Sequence, residues 1–192
     1  MAAVHRRNKC RMTLWSDIEG EQLTNVPDVK EMTTMAIEDI GPQPQAFDIE
    51  KETLANKNYR TTAWTGKYLQ VTLMSIPVGE SIGLEVHPET DQFLRLEQGV
   101  GKCVMGDAQD DLDFEQVVED DWSIFVPAGK WHDVINTGDE PLKLYTVYAP
   151  VHHAHGIVQV TAEDAERDEE SGKDVPPEWT VQPGTGAADG HA

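Results

Sequence analysis

Cysteine, basic residues and long apolar runs are all scarce in this sequence, and each shortage removes a class of function. Cys10 and Cys103 stand alone without ligand-like spacing, which excludes a disulfide framework and a zinc knuckle and reads as two reduced thiols. Fifteen basic residues face 35 acidic ones, for a formal charge of −20 at pH 7. Such a surface repels nucleic-acid phosphates and anionic headgroups, so no nucleic acid and no membrane is expected as a partner. No apolar stretch reaches the roughly 18 residues of a membrane span. The basic start "MAAVHRRNKCRMTLWSD" lacks the apolar segment of a secretory signal, so a cytoplasmic location is expected. Nucleotide and covalent chemistry also lack their signatures. The glycines of "GVGKCVMG" fit neither a dinucleotide fingerprint nor a phosphate loop, no Gly-x-Ser-x-Gly elbow is present, and neither cysteine has a base nearby in sequence.

What is present is a series of short β-rich runs cut by turn residues. The length suits one domain with extensions. Residues 1–45 read as an N-terminal extension with room for one helix, closed by "GPQPQ" at 41–45. "DIEKETLANKN" is a short helix candidate capped near Asp48. Eight strand candidates then follow within a barrel region spanning 46–160: "RTTAWTG", "KYLQVTLMSIPVG", "IGLEVH", "QFLRLEQG", "VGKCVMG", "WSIFVPAG", "WHDVINTG" and "PLKLYTVYAP". Nothing between them is long enough for crossover helices, so the fold class is all-β, a sandwich or barrel. The acidic runs "GDAQDDLDFEQVVEDD" at 106–121 and "TAEDAERDEESGKD" at 161–174 read as solvated loops or a helix face. Thr161 with Asp164 three residues on is a capping-box start, so residues 161–192 read as an acidic helix followed, from about Gly172, by a mobile tail rich in Gly and Pro.

Two spaced motifs carry the chemistry. Gly79 is followed by five residues, then Glu85-Val86-His87, four residues, Gln92, six residues and Gly99. Asp121 is followed by five residues, then Pro127-Ala128-Gly129, two residues, His132, three residues and Asn136. These intervals resemble the two motifs of the cupin superfamily over roughly residues 60–150. In identity, Glu85 replaces the first His, Gln92 replaces Glu, and Asp121 replaces the opening Gly of the second motif. The resemblance implies a cupin-type jelly-roll barrel, the RmlC-like double-stranded β-helix, with short flanking helices. It also implies a metal pocket of altered composition, in which His87 and His132 occupy ligand positions. A homodimer packed sheet on sheet is the expectation by analogy.

Strand geometry supports that pocket. Residues 85 and 87 project to one face, so Glu85 and His87 can point together into a barrel, with His132 arriving from a neighbouring strand. Two imidazoles and a carboxylate suit a divalent ion, Fe, Mn, Ni, Co or Zn, and Gln92 can add an amide oxygen or hold a water. A hydrogen-bonded polar cluster without metal is the plainer alternative. Glu89 and Asp91, in the "HPETD" turn, read as solvated. His152, His153 and His155, just past the last strand, read as a flexible exposed tract, the alternatives being that they cover the barrel mouth or bind a metal opportunistically. Tyr145 and Tyr148 lie on opposite faces, so at most one lines the pocket. Trp64, Trp122 and Trp131 read as packing residues and Arg95 as a surface residue. The function implied is metal-dependent binding of a small polar molecule, with oxygenase- or isomerase-type chemistry; metal-dependent phosphomannose isomerases resemble the first motif locally. The alternatives are a non-catalytic sensing cupin, with or without metal, and a purely structural one.

Overall fold

Turn residues set the element boundaries. The computed structural model describes residues 37–182; the expected N-terminal helix and the last ten residues lie outside that range. Helix α1 (Ile49–Ala55) begins where Asp48 accepts a hydrogen bond from the Lys51 N–H. Next come β1 (Arg60–Thr65), β2 (Gln70–Ile76), β3 (Glu85–Val86), β4 (Asp91–Gln98) and β5 (Val100–Gly106). They are followed by β6 (Phe114–Glu119), β7 (Ser123–Val126), β8 (Trp131–Asn136), β9 (Leu142–Ala149), β10 (Val158–Gln159) and α2 (Ala162–Glu170). No helix among the described residues is long and apolar enough to cross a membrane.

All strand pairs are antiparallel, in a six-stranded sheet ordered β10-β1-β2-β9-β4-β7 and a four-stranded sheet ordered β3-β8-β5-β6. Period-two alternation decides what each strand buries. On β4, Gln92, Leu94 and Leu96 turn inward, while Arg95 pairs with Glu97 and Asp121, consistent with a surface role. On β8, His132, Val134 and Asn136 turn inward. The core draws on both sheets, with Met74, Ile76, Leu94, Leu96, Ile124, Val126, Leu142 and Leu144 from one and Cys103, Val118 and Val134 from the other. The result is the expected cupin jelly roll with two short helices.

Motif residues that are not candidate ligands build turns. Asn136 Nδ2 donates to the carbonyls of Ile76 and Glu140 at 2.9 and 2.8 Å. Asp121, at the second motif's missing glycine, keeps the left-handed backbone that position calls for, with φ 69°. Aspartate tolerates that region better than most residues.

Two expectations are corrected. Residues 114–119, inside the acidic run read as loop or helix face, form β6 against β5. Only Val118 of this strand is buried, so one solvated face masks its alternation. The tract from Gly172 is ordered where described. The Val181 N–H donates to the Lys67 carbonyl at 2.9 Å, and Asp174 accepts three hydrogen bonds.

Helix α2 has the expected capping box: the Thr161 hydroxyl accepts from the Asp164 N–H while the Asp164 carboxylate accepts from the Thr161 N–H. Thr161→Ala is expected to cost about 1 kcal/mol, read as a lower midpoint in urea, with Thr161→Ser restoring most of it.

Candidate metal centre

The site is assembled by strand register. In the β3–β8 ladder Glu85 lies directly opposite His132, so their side chains are cross-strand neighbours. His87, two residues beyond Glu85, returns to the same face. Gln92 reaches the group from β4 in the other sheet. The spacing-based grouping of Glu85, His87, Gln92 and His132 is thus reproduced as a spatial cluster.

Donor atoms of Glu85, His87 and His132 all lie within 4.8 Å of one another, which is the arrangement of a candidate metal site. Glu85 Oε1 is 3.1 Å from His87 Nε2 and 3.3 Å from His132 Nε2. Gln92 Oε1 is 2.8 Å from His132 Nε2. His87, Gln92 and His132 are buried, and Glu85 is partly exposed.

Proton bookkeeping shows what the cluster needs. His132 Nδ1 lies 3.1 Å from the Lys130 carbonyl, which can only accept, so Nδ1 carries the proton. In the neutral ring Nε2 then offers a lone pair, and it faces two oxygens, from Glu85 and Gln92. Three electron-rich atoms meeting in a largely buried site favour a positive charge between them, a proton or a metal ion. Glu85 shows the same demand. Burial acts to raise its pKa, but hydrogen bonds to His132 and His87, the His87 charge and then Arg60 hold it well below the usual carboxylate range. The donor set therefore fits a divalent cation, with the Lys130 carbonyl fixing the His132 tautomer, as an outer partner does in metal sites.

The surroundings contain residues that sequence reasoning missed. A cavity of about 600 Å³ is lined by Arg60, Glu85, His87, Trp131, His152 and His153, among others. The expected exposed histidine tract is wrong for two of its three members. The His152 ring sits 4.2 Å from that of His87, and burial, followed by repulsion from His153 and His87, lowers its pKa to about 3. His153 is buried, with Nδ1 2.9 Å from Asp174 Oδ2. Burial first, then Arg60, pushes its pKa down to about 4, so the ring is neutral and donates from Nδ1. His155 points elsewhere, with Nε2 donating to the Gly41 carbonyl at 3.0 Å.

Tyr148 faces the site, 5.8 Å from the His87 ring, whereas Tyr145 packs on the outer face near Phe93. Of the three tryptophans read as packing residues, Trp131 lines the cavity, Trp64 donates to the Gln43 carbonyl, and Trp122 lies 40% exposed away from it. Asp91, in the turn read as solvated, accepts from the Ala128 N–H at 2.9 Å.

Comparisons place this architecture among known proteins. The cupin-domain family model matches residues 72–148, which include all four candidate residues. "Uncharacterized protein YrkC" of Bacillus subtilis (strain 168) is 53% identical over 131 residues, spanning 68% of this chain and 70% of that one. An uncharacterized protein of Acanthamoeba polyphaga mimivirus is 36% identical over 119 residues, 62% of this chain and 72% of that one. A Bacillus halodurans crystal structure superposes with a TM-score of 0.68 at 54% identity, covering 68% of this chain and 99% of that one. The protein belongs to the cupin superfamily.

Proposed function

We propose that the protein is a metal-dependent cupin that binds and transforms a small polar molecule. Glu85, His87 and His132 hold a divalent first-row ion and Gln92 supplies an amide oxygen beside it. What carries the reading is the meeting of His132 Nε2 with Glu85 Oε1 and Gln92 Oε1 while the Nδ1 proton is committed elsewhere. Mixed nitrogen and oxygen donors favour Fe, Mn, Co, Ni or Zn over the all-oxygen sites of calcium or magnesium. A bound ion would supply Lewis-acid or template chemistry of the oxygenase or isomerase type. The protein's own residues orient and enclose. The Lys130 carbonyl fixes the His132 ring, the buried ring of Tyr148 and the half-buried ring of His152 flank His87, and the cavity admits a small ligand beside Glu85.

Elemental analysis tests the metal. Purified wild type is expected to carry close to one ion per chain, and Glu85→Gln, His87→Gln and His132→Gln to lose most of it while keeping their circular dichroism. Gln is chosen because His132 is fully buried and an alanine there would leave a cavity. Equal metal content in all four proteins sinks the coordination.

A second reading, binding without turnover, is favoured by one observation. Of the three carboxylates lining the cavity, Asp174 and Glu85 are engaged in hydrogen bonds, which leaves the exposed Glu169 of α2 to carry a proton. Product formation from a panel of small acids and sugars would favour turnover; tight binding without product would favour the receptor.

A further inference from the structure

Arg60 is a buried charge that no carboxylate touches among the described residues, with Glu85 and Asp174 acting on it only from beyond ion-pair distance. It opens β1, is 6% exposed and lines the cavity beside Glu85 and His87. Its Nη1 donates to Gln159 Oε1 at 3.0 Å, a neutral acceptor, and its Nε is buried with no partner. It forms no ion pair among the described residues, in a chain with 35 acidic side chains. Buried guanidinium groups are normally paired, because an uncompensated charge out of water is costly. His153, on the same cavity, has the complementary defect. Its Nδ1–H is committed to Asp174, and its Nε2, a lone pair, is buried without a partner.

Together these atoms describe a ligand. A guanidinium suits the planar, singly charged carboxylate, to which it can donate two parallel hydrogen bonds. A phosphate dianion fits less well, because the cavity's other ionised groups are Glu85, Glu169 and Asp174, three carboxylates against one guanidinium. The His153 lone pair calls for a donor, such as a hydroxyl. We propose that the cavity receives a small hydroxylated carboxylic acid, its carboxylate held by Arg60 and a hydroxyl donating to His153 Nε2. This names the substrate class of the metal pocket proposed above and rests on that reading only for what the ligand meets beyond Arg60.

The test is calorimetric titration of the full chain, metal-loaded and chelator-stripped, with glycolate and lactate as probes. Acetate, ethylene glycol and inorganic phosphate serve as comparators. Wild type is expected to bind the hydroxy acids, to bind acetate more weakly and to ignore ethylene glycol. Arg60→Met is expected to weaken hydroxy-acid binding roughly tenfold or more, with Arg60→Lys intermediate and metal content unchanged in both. Should Arg60→Met fail to fold, the wild-type comparison of hydroxy acid with ethylene glycol and phosphate still decides. Unchanged affinity in Arg60→Met, tighter binding of phosphate, or no carboxylate binding in either metal state overturns the proposal. Arg60-dependent binding by a protein that takes up no metal on loading upholds the anion site and removes the metal reading, so the two failures are distinguishable.

Discussion

Asp174→Ala is expected to destabilise the protein by about 2–4 kcal/mol, the order expected when several largely buried donors lose a shared acceptor. The reason is the number of donors it serves. The Asp174 carboxylate accepts from His153 Nδ1 at 2.9 Å, the Ala154 N–H at 2.7 Å and Gln159 Nε2 at 3.1 Å. Alanine leaves three donors without their acceptor on a half-buried stretch of the cavity wall. The damage should reach the cavity, because Gln159 is the residue that holds Arg60 and His153 lines the wall. Urea unfolding monitored by circular dichroism checks the magnitude. Asp174→Asn should lose roughly half as much, since one oxygen remains to accept while the new amide meets donors. A loss under about 1 kcal/mol for alanine, the range of an exposed pair, would show that residues 172–182 are not anchored as described.

That anchoring explains what could and could not be read from the sequence. Strands β1, β2, β3, β4, β5, β7, β8 and β9 were legible because alternation and turn residues mark them locally. β6 was not, because on an edge strand with five of six residues exposed the hydrophobic period vanishes. Two-residue β10 is too short to leave a pattern. Within the site, Glu85, His87, Gln92 and His132 were legible as a group because a resemblance of spacing carries long-range geometry that no local rule supplies. The cavity wall was invisible for the opposite reason. Arg60 comes from β1, outside both motifs, and nothing at the head of "RTTAWT" marks its side chain as buried. His152 and His153 looked exposed because they follow the last long strand. Their burial depends on a segment around Asp174, some twenty residues later, folding back against them. Chemistry set by one strand pair is written in spacing, whereas chemistry set by a returning segment is written nowhere nearby.

The same returning segment makes stability fall on mild acidification. Burial, then the Arg60 charge, holds the folded His153 pKa at about 4 against 6.5 for the free side chain. The unfolded chain therefore takes up this proton first as pH falls through 6.5. Folding loses stability down to about pH 4, below which both states are protonated and the contribution is flat. Asp174 acts lower with the same sign. Burial raises its pKa, but the hydrogen bond and charge of His153, the Ala154 N–H and Arg60 bring it down to about 2, so its contribution is lost between 3.8 and 2. The groups acting on His153 are Arg60, Asp174 and Glu85. His152, lowered to about 3, adds its own loss and is retained in a His153→Gln variant. The difference between wild type and His153→Gln thus reports the His153 imidazole together with its coupling to His152 and Asp174. Unfolding free energies measured at fixed ionic strength between pH 7 and 4, with chelator present to remove competition between protons and metal, should fall by on the order of a few kcal/mol more in wild type than in the variant. Parallel curves for the two proteins would mean that the buried ring already carries its proton, and Nε2 could then donate to an anion but not accept from a hydroxyl.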